Sequence, residues 1–202
     1  MLEFLLYDLR ELLEPTGRLD ILVEYRASLV IMERLTAEDP SNALWQRELA
    51  VSHSKVGGTL QVQGDLVGAL TEYRASLTIL GRLATADPSN DLWQEDLAVS
   101  HQDIGRVLQT QGDLAGALTE YRASLTITER LAAADPSNAE WQRDLWVACC
   151  WIADVLEHSG DPAALEWWRR AYEILSGMKR AGIYISPADE EYYQQLHQKL
   201  EQ

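Results

Sequence analysis

Basic residues are scarce in this chain of 202 residues. Seventeen lysines and arginines stand against 32 aspartates and glutamates, which gives a formal net charge of -15. Such a charge repels phosphate backbones, so we do not expect nucleic acid as a partner. It attracts basic protein surfaces instead, and salt weakens that attraction.

Cysteine is almost absent as well. Only Cys149 and Cys150 occur, and they are adjacent. Adjacent residues do not reach comfortable disulfide geometry, and the pair lacks the two-residue gap that is typical of zinc ligands. We therefore expect no structural disulfide, no metal and no other cofactor, in a reducing compartment such as the cytoplasm.

Long apolar runs are missing. No stretch approaches the roughly 18 uninterrupted apolar residues that a membrane span requires. Residues 1–13 are largely apolar, but acidic side chains interrupt them and they lack the basic start and small-residue cleavage site of a signal peptide. Hydrophobic residues still make up 47% of the chain, enough to bury a core. We expect a cytoplasmic protein that does not enter a membrane.

One phrase recurs with a fixed step. Tyr-Arg-Ala-Ser-Leu begins at Tyr25, Tyr73 and Tyr121, so the period is 73 − 25 = 48 and 121 − 73 = 48. Asp-Pro-Ser-Asn returns with the same step at 39–42, 87–90 and 135–138. A shared period indicates tandem repeats. We predict a single repeat domain over 1–202, with repeats at about 1–38, 39–86, 87–134 and 135–182.

Each repeat has the pattern of two helices. Apolar residues such as Val56 and Leu60 recur at helical spacing. Gly64 suits the position just past a helix end, Asp65 suits the N-cap of the next helix, and Pro88 ends that second helix. No segment alternates as a strand does. The pattern predicts helices over about 1–14 and 18–37, then hairpins over 43–86, 91–134 and 139–181.

The last segment predicts a capping helix over 186–202. Ser186 suits the N-cap, Pro187 the first turn, and Asp189 the positive end of the helix dipole. The polar and aromatic face that includes Tyr192 and Tyr193 suits a helix that shields the last hairpin from water. The chain is expected to be all-α, with about nine helices.

These units resemble the tetratricopeptide repeat. The resemblance rests on positions restricted in size, which are Val56-Gly57, Leu60, Gly64, Ala69, Tyr73 and Ser76; Ile104-Gly105, Leu108, Gly112, Ala117, Tyr121 and Ser124; and Ile152-Ala153, Leu156, Gly160, Ala164, Trp168 and Ala171. It implies an α-solenoid of antiparallel helical hairpins in a right-handed superhelix, in which the small residues let helices approach.

The period departs from that family. Its usual period is about 34 residues, and the excess here adds about seven residues, nearly two turns, to each helix. Two added turns keep the apolar face in the same direction. Kinesin light chains also resemble a lengthened form of this repeat, and the phrases resemble those of bacterial repeat proteins that accompany signalling or effector domains.

No set of residues predicts catalysis. His53 and His101 occupy one repeat position, and Cys149 occupies its next copy, so packing explains them better than a site does. Asp154 and Glu157 lie one turn apart, a spacing that is common on helix surfaces. There is no glycine-rich phosphate loop and no serine nucleophile elbow. We expect a protein that is not an enzyme.

Aromatic residues concentrate near the end of the chain without following the repeat: Trp146, Trp151, Trp167, Trp168, Tyr172, Tyr184, Tyr192 and Tyr193. Two interpretations stay open. They pack against the terminal helix, or they form a patch that binds a partner, since aromatic residues dominate interface hot spots.

The resemblance also implies a concave binding face on the first helix of each hairpin. The residues placed there as partner contacts are Ser54, Gln61, Gln102, Arg106, Gln109, Cys150, Asp154 and Glu157. Family members that grip C-terminal carboxylates use lysine and asparagine at such positions, whereas Val99, Asp103 and Asp154 stand here. This argues against carboxylate capture. A neutral to acidic groove fits a peptide or helix with basic residues better.

Two functions follow as hypotheses. The first is a non-catalytic protein–protein interaction scaffold that binds a peptide or helix of a partner protein on its concave face. The alternative is a C-terminal sensor or oligomerisation region of a larger bacterial signalling or effector protein, and an oligomerisation region would self-associate. Light scattering of the isolated chain would separate the two.

Overall fold

The chain folds as a series of helices. The computed structural model describes the backbone of residues 17–201 and the side chains of residues 21–201. That range contains eight helices and no strand: α1 (Gly17–Glu38), α2 (Ala43–Val62), α3 (Leu66–Ala86), α4 (Asp91–Thr110), α5 (Leu114–Ala134), α6 (Ala139–His158), α7 (Ala164–Arg180) and α8 (Pro187–Leu200). None of these eight has the length and apolar character to cross a membrane.

The predicted all-α class is confirmed, and so are the predicted hairpins. The helix bounds of α2 to α6 agree with the sequence pattern, and α8 begins behind Ser186 as expected. The helix expected over 1–14 lies outside the described residues.

The helix ends follow one local code. Asn90 caps α4 by accepting a hydrogen bond from the backbone N–H of Trp93, at 3.2 Å. Gly112 follows α4 with φ of 83°, a conformation that favours glycine. Asp113 then caps α5 by accepting from the N–H of Gly116, at 2.9 Å. The same caps recur one repeat earlier at Asn42 and Asp65.

The start of α7 departs from this code. Ala164 follows Gly160 by four positions (164 − 160 = 4), whereas Ala117 follows Gly112 by five (117 − 112 = 5). The N-cap is therefore Ala163, which has no side-chain capping bond. Asp161 instead accepts a hydrogen bond from the N–H of Ala163, at 2.9 Å. The missing residue explains the weaker sequence match at this turn.

The chain divides into two compact units, 1–87 and 88–202. The boundary falls within the second copy of the Asp-Pro-Ser-Asn phrase, between two repeats. The first unit contains α1 to α3, and the second contains α4 to α8. The assignment of residues 1–202 to a single repeat domain stays a prediction.

Small residues allow the two helices of a hairpin to approach closely. In the second unit, a Cβ atom on Gly105 would lie 2.5 Å from the ring of Tyr121, which is fully buried beside an equally buried Ala117. In the first unit, a Cβ atom on Gly57 would lie 3.0 Å from the ring of Tyr73. The close contact of a glycine with a tyrosine ring is therefore shared by these two hairpins.

The last helix continues the register of the repeat. Trp141 Nε1 lies 3.5 Å from Glu95 Oε2, and Arg143 Nε lies 3.1 Å from Asp189 Oδ2. The second pair is the first pair shifted by one period, since 95 + 48 = 143 and 141 + 48 = 189. α8 packs against α7 and buries Leu196. It thus takes the place of the first helix of a further hairpin.

Candidate partner-binding site

One hydrogen bond recurs in three hairpins. An aromatic side chain of the second helix donates to the last turn of the first helix. The pairs are Tyr73 Oη to Gln61 Oε1 at 3.0 Å, Tyr121 Oη to Gln109 Oε1 at 2.9 Å, and Trp168 Nε1 to Glu157 Oε2 at 3.0 Å. Gln61, Gln109 and Glu157 are residues that the sequence predicts on a binding face. In the structure each accepts a hydrogen bond that joins the two helices of its own hairpin, and the role in binding stays a prediction.

A second hydrogen bond between the two helices recurs in two hairpins, seven residues before Gln61 and Gln109 on the first helix. Ser54 Oγ donates to Ser76 Oγ at 2.9 Å, and Gln102 Nε2 donates to Ser124 Oγ at 2.9 Å. Gln102 is only 8% exposed. These polar groups are satisfied inside their hairpins, which leaves them little capacity for a partner. Their role in partner binding stays a prediction.

Arg106 is paired within its own helix. It forms a salt bridge with Asp103 one turn earlier on α4. Burial raises the pKa of Asp103, and the charge of Arg106 opposes that rise. Arg106 is exposed. Because the carboxylate of Asp103 largely neutralises its charge, Arg106 adds little positive potential to the surface.

A glutamine joins α4 to α6. Gln109 accepts from Tyr121 and donates from Nε2 to Asp154 Oδ2, at 2.6 Å. The other carboxylate oxygen of Asp154, Oδ1, lies 3.5 Å from Nδ1 of His158. Trp151 stacks on Tyr121 with ring centroids 5.3 Å apart. The carboxylate and the indole are therefore both oriented by the buried Tyr121.

A cleft of about 200 Å³ lies between α6 and α8. Its lining residues are Trp146, Val147, Cys150, Trp151 and Asp154 of α6 and Tyr192 of α8. The five residues of α6 fall on one side of the helix because they are spaced by one, four, five and eight positions. We call this feature the cleft.

The inner wall of the cleft is aromatic and well packed. Tyr192 meets Trp146 edge to face, with ring centroids 5.6 Å apart and an angle of 70° between the planes. The side chains of Tyr192 and Cys150 are hydrogen-bonded to each other, and burial raises the pKa of both. Trp146 is 3% exposed, and its indole N–H has no hydrogen-bond partner in the described part of the chain.

The thiols are not poised for nucleophilic chemistry. Burial raises the pKa of Cys149 to about 11, and it raises that of Cys150 as well. Both therefore stay protonated near neutral pH, whereas a reactive cysteine needs a lowered pKa. Among residues 21–201 no group of three or more potential metal ligands comes together. The arrangement can bind, through rings and a carboxylate, more readily than it can react.

Ion pairs hold α8 at both ends of the cleft. Arg143 of α6 pairs with Asp189 of α8 at 3.1 Å. Lys199 Nζ of α8 donates to Glu157 Oε2 at 2.5 Å and lies 4.5 Å from the ring centre of Trp168. The hydrogen bond from Lys199 lowers the pKa of Glu157. These contacts fix the position of Tyr192 over α6.

Asp144 lies in an unfavourable environment on α6. Burial, together with the nearby carboxylates of Glu95 and Glu140, raises its pKa to about 6, while Arg143 acts in the opposite direction. The second unit thus combines an overall acidic composition with at least one carboxyl group that ionises reluctantly.

The structure groups only part of the predicted site. Cys150 and Asp154 line the cleft, and Gln109 orients Asp154. Ser54 and Gln61 belong to the first unit. The sequence analysis missed Val147 as a lining residue. It included Trp151 and Tyr192 in the aromatic group but did not distinguish them from the other members. The spacing of the α6 residues along one side of the helix was the signal for Val147 and Trp151.

Comparison with known proteins shows the fold alone. No family model matches the chain, and no curated protein does. The crystal structure of BtubC (BKLC) from P. vanneervenii is similar, with 17% identity over 81% of this chain and a TM-score of 0.59. The match spans 59% of the length of that protein.

Two other solved structures are more distant in shape. The de novo designed helical repeat protein DHR64 has 19% identity over 93% of this chain and 94% of its own, with a TM-score of 0.39. The DHF79 filament has 17% identity over 89% of this chain and 98% of its own, with a TM-score of 0.36. The helices of the chain itself show an all-α fold of helical hairpins that repeat every 48 residues.

Proposed function

We propose that the chain is a non-catalytic, tetratricopeptide-like interaction module that binds a peptide or helix of a partner protein. The binding surface is the side of α4 and α6 that carries Val99, Arg106, Val147 and Asp154, which we call the α4–α6 face. The observation that supports it most is the Gln109–Asp154 hydrogen bond, because it joins two first helices side by side into one surface.

The contacts inside each hairpin support the tetratricopeptide assignment. The family uses a small residue on the first helix against a large residue on the second. Here Gly57 meets Tyr73 and Gly105 meets Tyr121, and both tyrosines are buried. The longer helices extend the α4–α6 face without changing these contacts.

The side chains on this face suit recognition. Val99 is 43% exposed and occupies the repeat position of Val147, which lines the cleft. An exposed apolar residue beside oriented polar groups provides both contact area and hydrogen bonds. A formal charge of -15 favours a basic partner over an acidic one.

A display experiment tests the proposal. Random peptides shown on phage are selected against the immobilised chain, and the bound sequences are measured in solution with wild type and with Val99→Trp. We expect selected peptides to bind with micromolar dissociation constants and to lose about tenfold in affinity to Val99→Trp, because the indole covers the α4–α6 face.

Leu165→Trp is the matched control. Leu165 is also 43% exposed, but it lies on α7, a second helix. Peptide binding should be unchanged in this variant. If selection yields no peptide, or if Leu165→Trp weakens binding as much as Val99→Trp does, the proposed function is wrong.

A further inference from the structure

We propose that the cleft between α6 and α8 receives an arginine side chain of the bound peptide. This rests on the proposed function, and it adds the chemistry of one ligand group at one place on the surface. The size of the cleft fits that assignment. At about 200 Å³ it is smaller than the roughly 300–1,000 Å³ of sites for whole small molecules.

The walls of the cleft offer aromatic surface. Trp146, Trp151 and Tyr192 line it, and each is held in place by a neighbour. Trp151 stacks on the buried Tyr121, which fixes the orientation of its indole at the wall of the cleft. Aromatic faces attract cations, and the flat guanidinium group of arginine stacks on an indole better than an ammonium group does.

The carboxylate at the cleft has one oxygen available. Gln109 occupies Oδ2 of Asp154. His158 lies 3.5 Å from Oδ1, but its Nδ1 makes a shorter contact of 2.8 Å with the backbone oxygen of Asp154. His158 is also 63% exposed, so water screens its contact with Oδ1. Oδ1 can therefore accept a charge-assisted hydrogen bond from an incoming guanidinium.

Neighbouring cations are already paired. Arg143 binds Asp189 and lies over the ring of Trp146 at 5.9 Å. Arg106 binds Asp103, and Lys199 binds Glu157. None of these three cations pairs with Asp154. An arginine of a bound peptide would therefore contact an aromatic wall and a carboxylate oxygen of Asp154 that no lysine or arginine named here neutralises.

The test compares arginine with citrulline, which has nearly the same shape but no charge. Each selected phage peptide is synthesised with arginine and with citrulline, and fluorescence anisotropy gives the dissociation constants for wild type and for Asp154→Asn. We expect citrulline to weaken binding to wild type about tenfold or more. Against Asp154→Asn, the two peptides should differ by less than about threefold.

Glu173→Gln provides the control for the change in charge. Glu173 is exposed on α7, so this variant loses the same negative charge away from the cleft. It should bind the arginine peptide as wild type does. Thermal melts followed by circular dichroism confirm that each variant is folded, and the citrulline comparison needs no variant at all.

The outcomes separate the two proposals. If selected peptides bind and Val99→Trp weakens them, but citrulline binds within twofold of arginine, the arginine assignment is wrong and the proposed function stands. The assignment also fails if selected peptides lack arginine, or if Asp154→Asn and Glu173→Gln weaken binding equally. If no peptide binds wild type, the proposed function itself fails.

Discussion

The hydroxyl of Tyr121 and the amide of Gln109 connect the core of a hairpin to its surface. Tyr121 donates to Gln109 at 2.9 Å, and Gln109 donates in turn to Asp154 at 2.6 Å. A fully buried side chain of α5 therefore orients a carboxylate on the neighbouring hairpin. The first unit has the same bond between Tyr73 and Gln61. The hydrogen bonds from Tyr121 to Gln109 and from Gln109 to Asp154 thus link the stability of the repeat to the α4–α6 face.

Removing the hydroxyl of Tyr121 tests that link. Tyr121→Phe should cost about 1 kcal/mol in the free energy of unfolding, the usual net value of one hydrogen bond. It should also weaken the binding of a selected arginine peptide severalfold, because Gln109 is no longer fixed against Asp154. Urea unfolding and fluorescence anisotropy measure the two effects. Tyr73→Phe, the matched change in the first unit, should leave peptide binding unaltered.

The glycine contact tests the packing of the hairpin. In Gly105→Ala, the new Cβ atom would lie 2.5 Å from the ring of Tyr121, which is fully buried and cannot move aside cheaply. We expect a loss of about 1–3 kcal/mol. Gly177→Ala on α7 is the control, because nothing lies within 4 Å of the added atom; there the better helix propensity of alanine should stabilise by up to about 1 kcal/mol. Equal effects at the two glycines would contradict the packing account.

Asp144 should make the protein less stable as the pH rises. Its pKa in the folded chain is raised to about 6 from an ordinary value of 3.8, mainly by burial. The folded state therefore binds a proton more tightly than the unfolded state, and the penalty for ionisation grows between about pH 4 and pH 6. Asp144→Asn should stabilise by about 1 kcal/mol at pH 7, allowing for partial solvent screening, and by little at pH 4. Urea unfolding of both proteins at the two pH values measures this, and a gain that does not depend on pH would point to packing instead.

Asp189 should show the opposite pH dependence. Burial alone would raise its pKa, but hydrogen bonds from Arg143 and Ser186 lower it on balance. Its contribution to stability is thus present above the ordinary pKa of 3.8 and is lost as the pH falls through the lowered value. Asp189→Asn should cost about 1–2 kcal/mol at pH 7 and less near pH 3. A constant cost across that range would show that Asp189 acts by shape and not by charge.

The sequence predicted the helices well because the residues that begin and end each helix recur in every clear copy of the repeat. Asn90 and Asp113 are caps whose copies stand 48 residues earlier, so one local rule places many helix ends. Gly105 opposite Tyr121 was also predictable, since a small and a large residue recur together. The all-α fold follows from such local signals.

The cleft was not predictable in the same way. It depends on Tyr192, which lies outside the three clear repeats and reaches Trp146 only because α8 takes the register of another first helix. The ion pair of Arg143 with Asp189 fixes this register. It stands one period after the contact of Glu95 with Trp141, so no residue identity is repeated. Contacts between hairpins that do not recur in the sequence leave no periodic signal to read.

The direct measurement of the central claim is the position of a bound peptide on the folded chain. Backbone amide chemical shifts of isotope-labelled protein are recorded while an unlabelled selected peptide is added. The account predicts that the largest shifts cluster on α4 and α6, at Val99, Arg106, Val147 and Asp154, and at Tyr192 beside the cleft. Shifts that cluster on α5 and α7, or that spread evenly over the second unit, would contradict it.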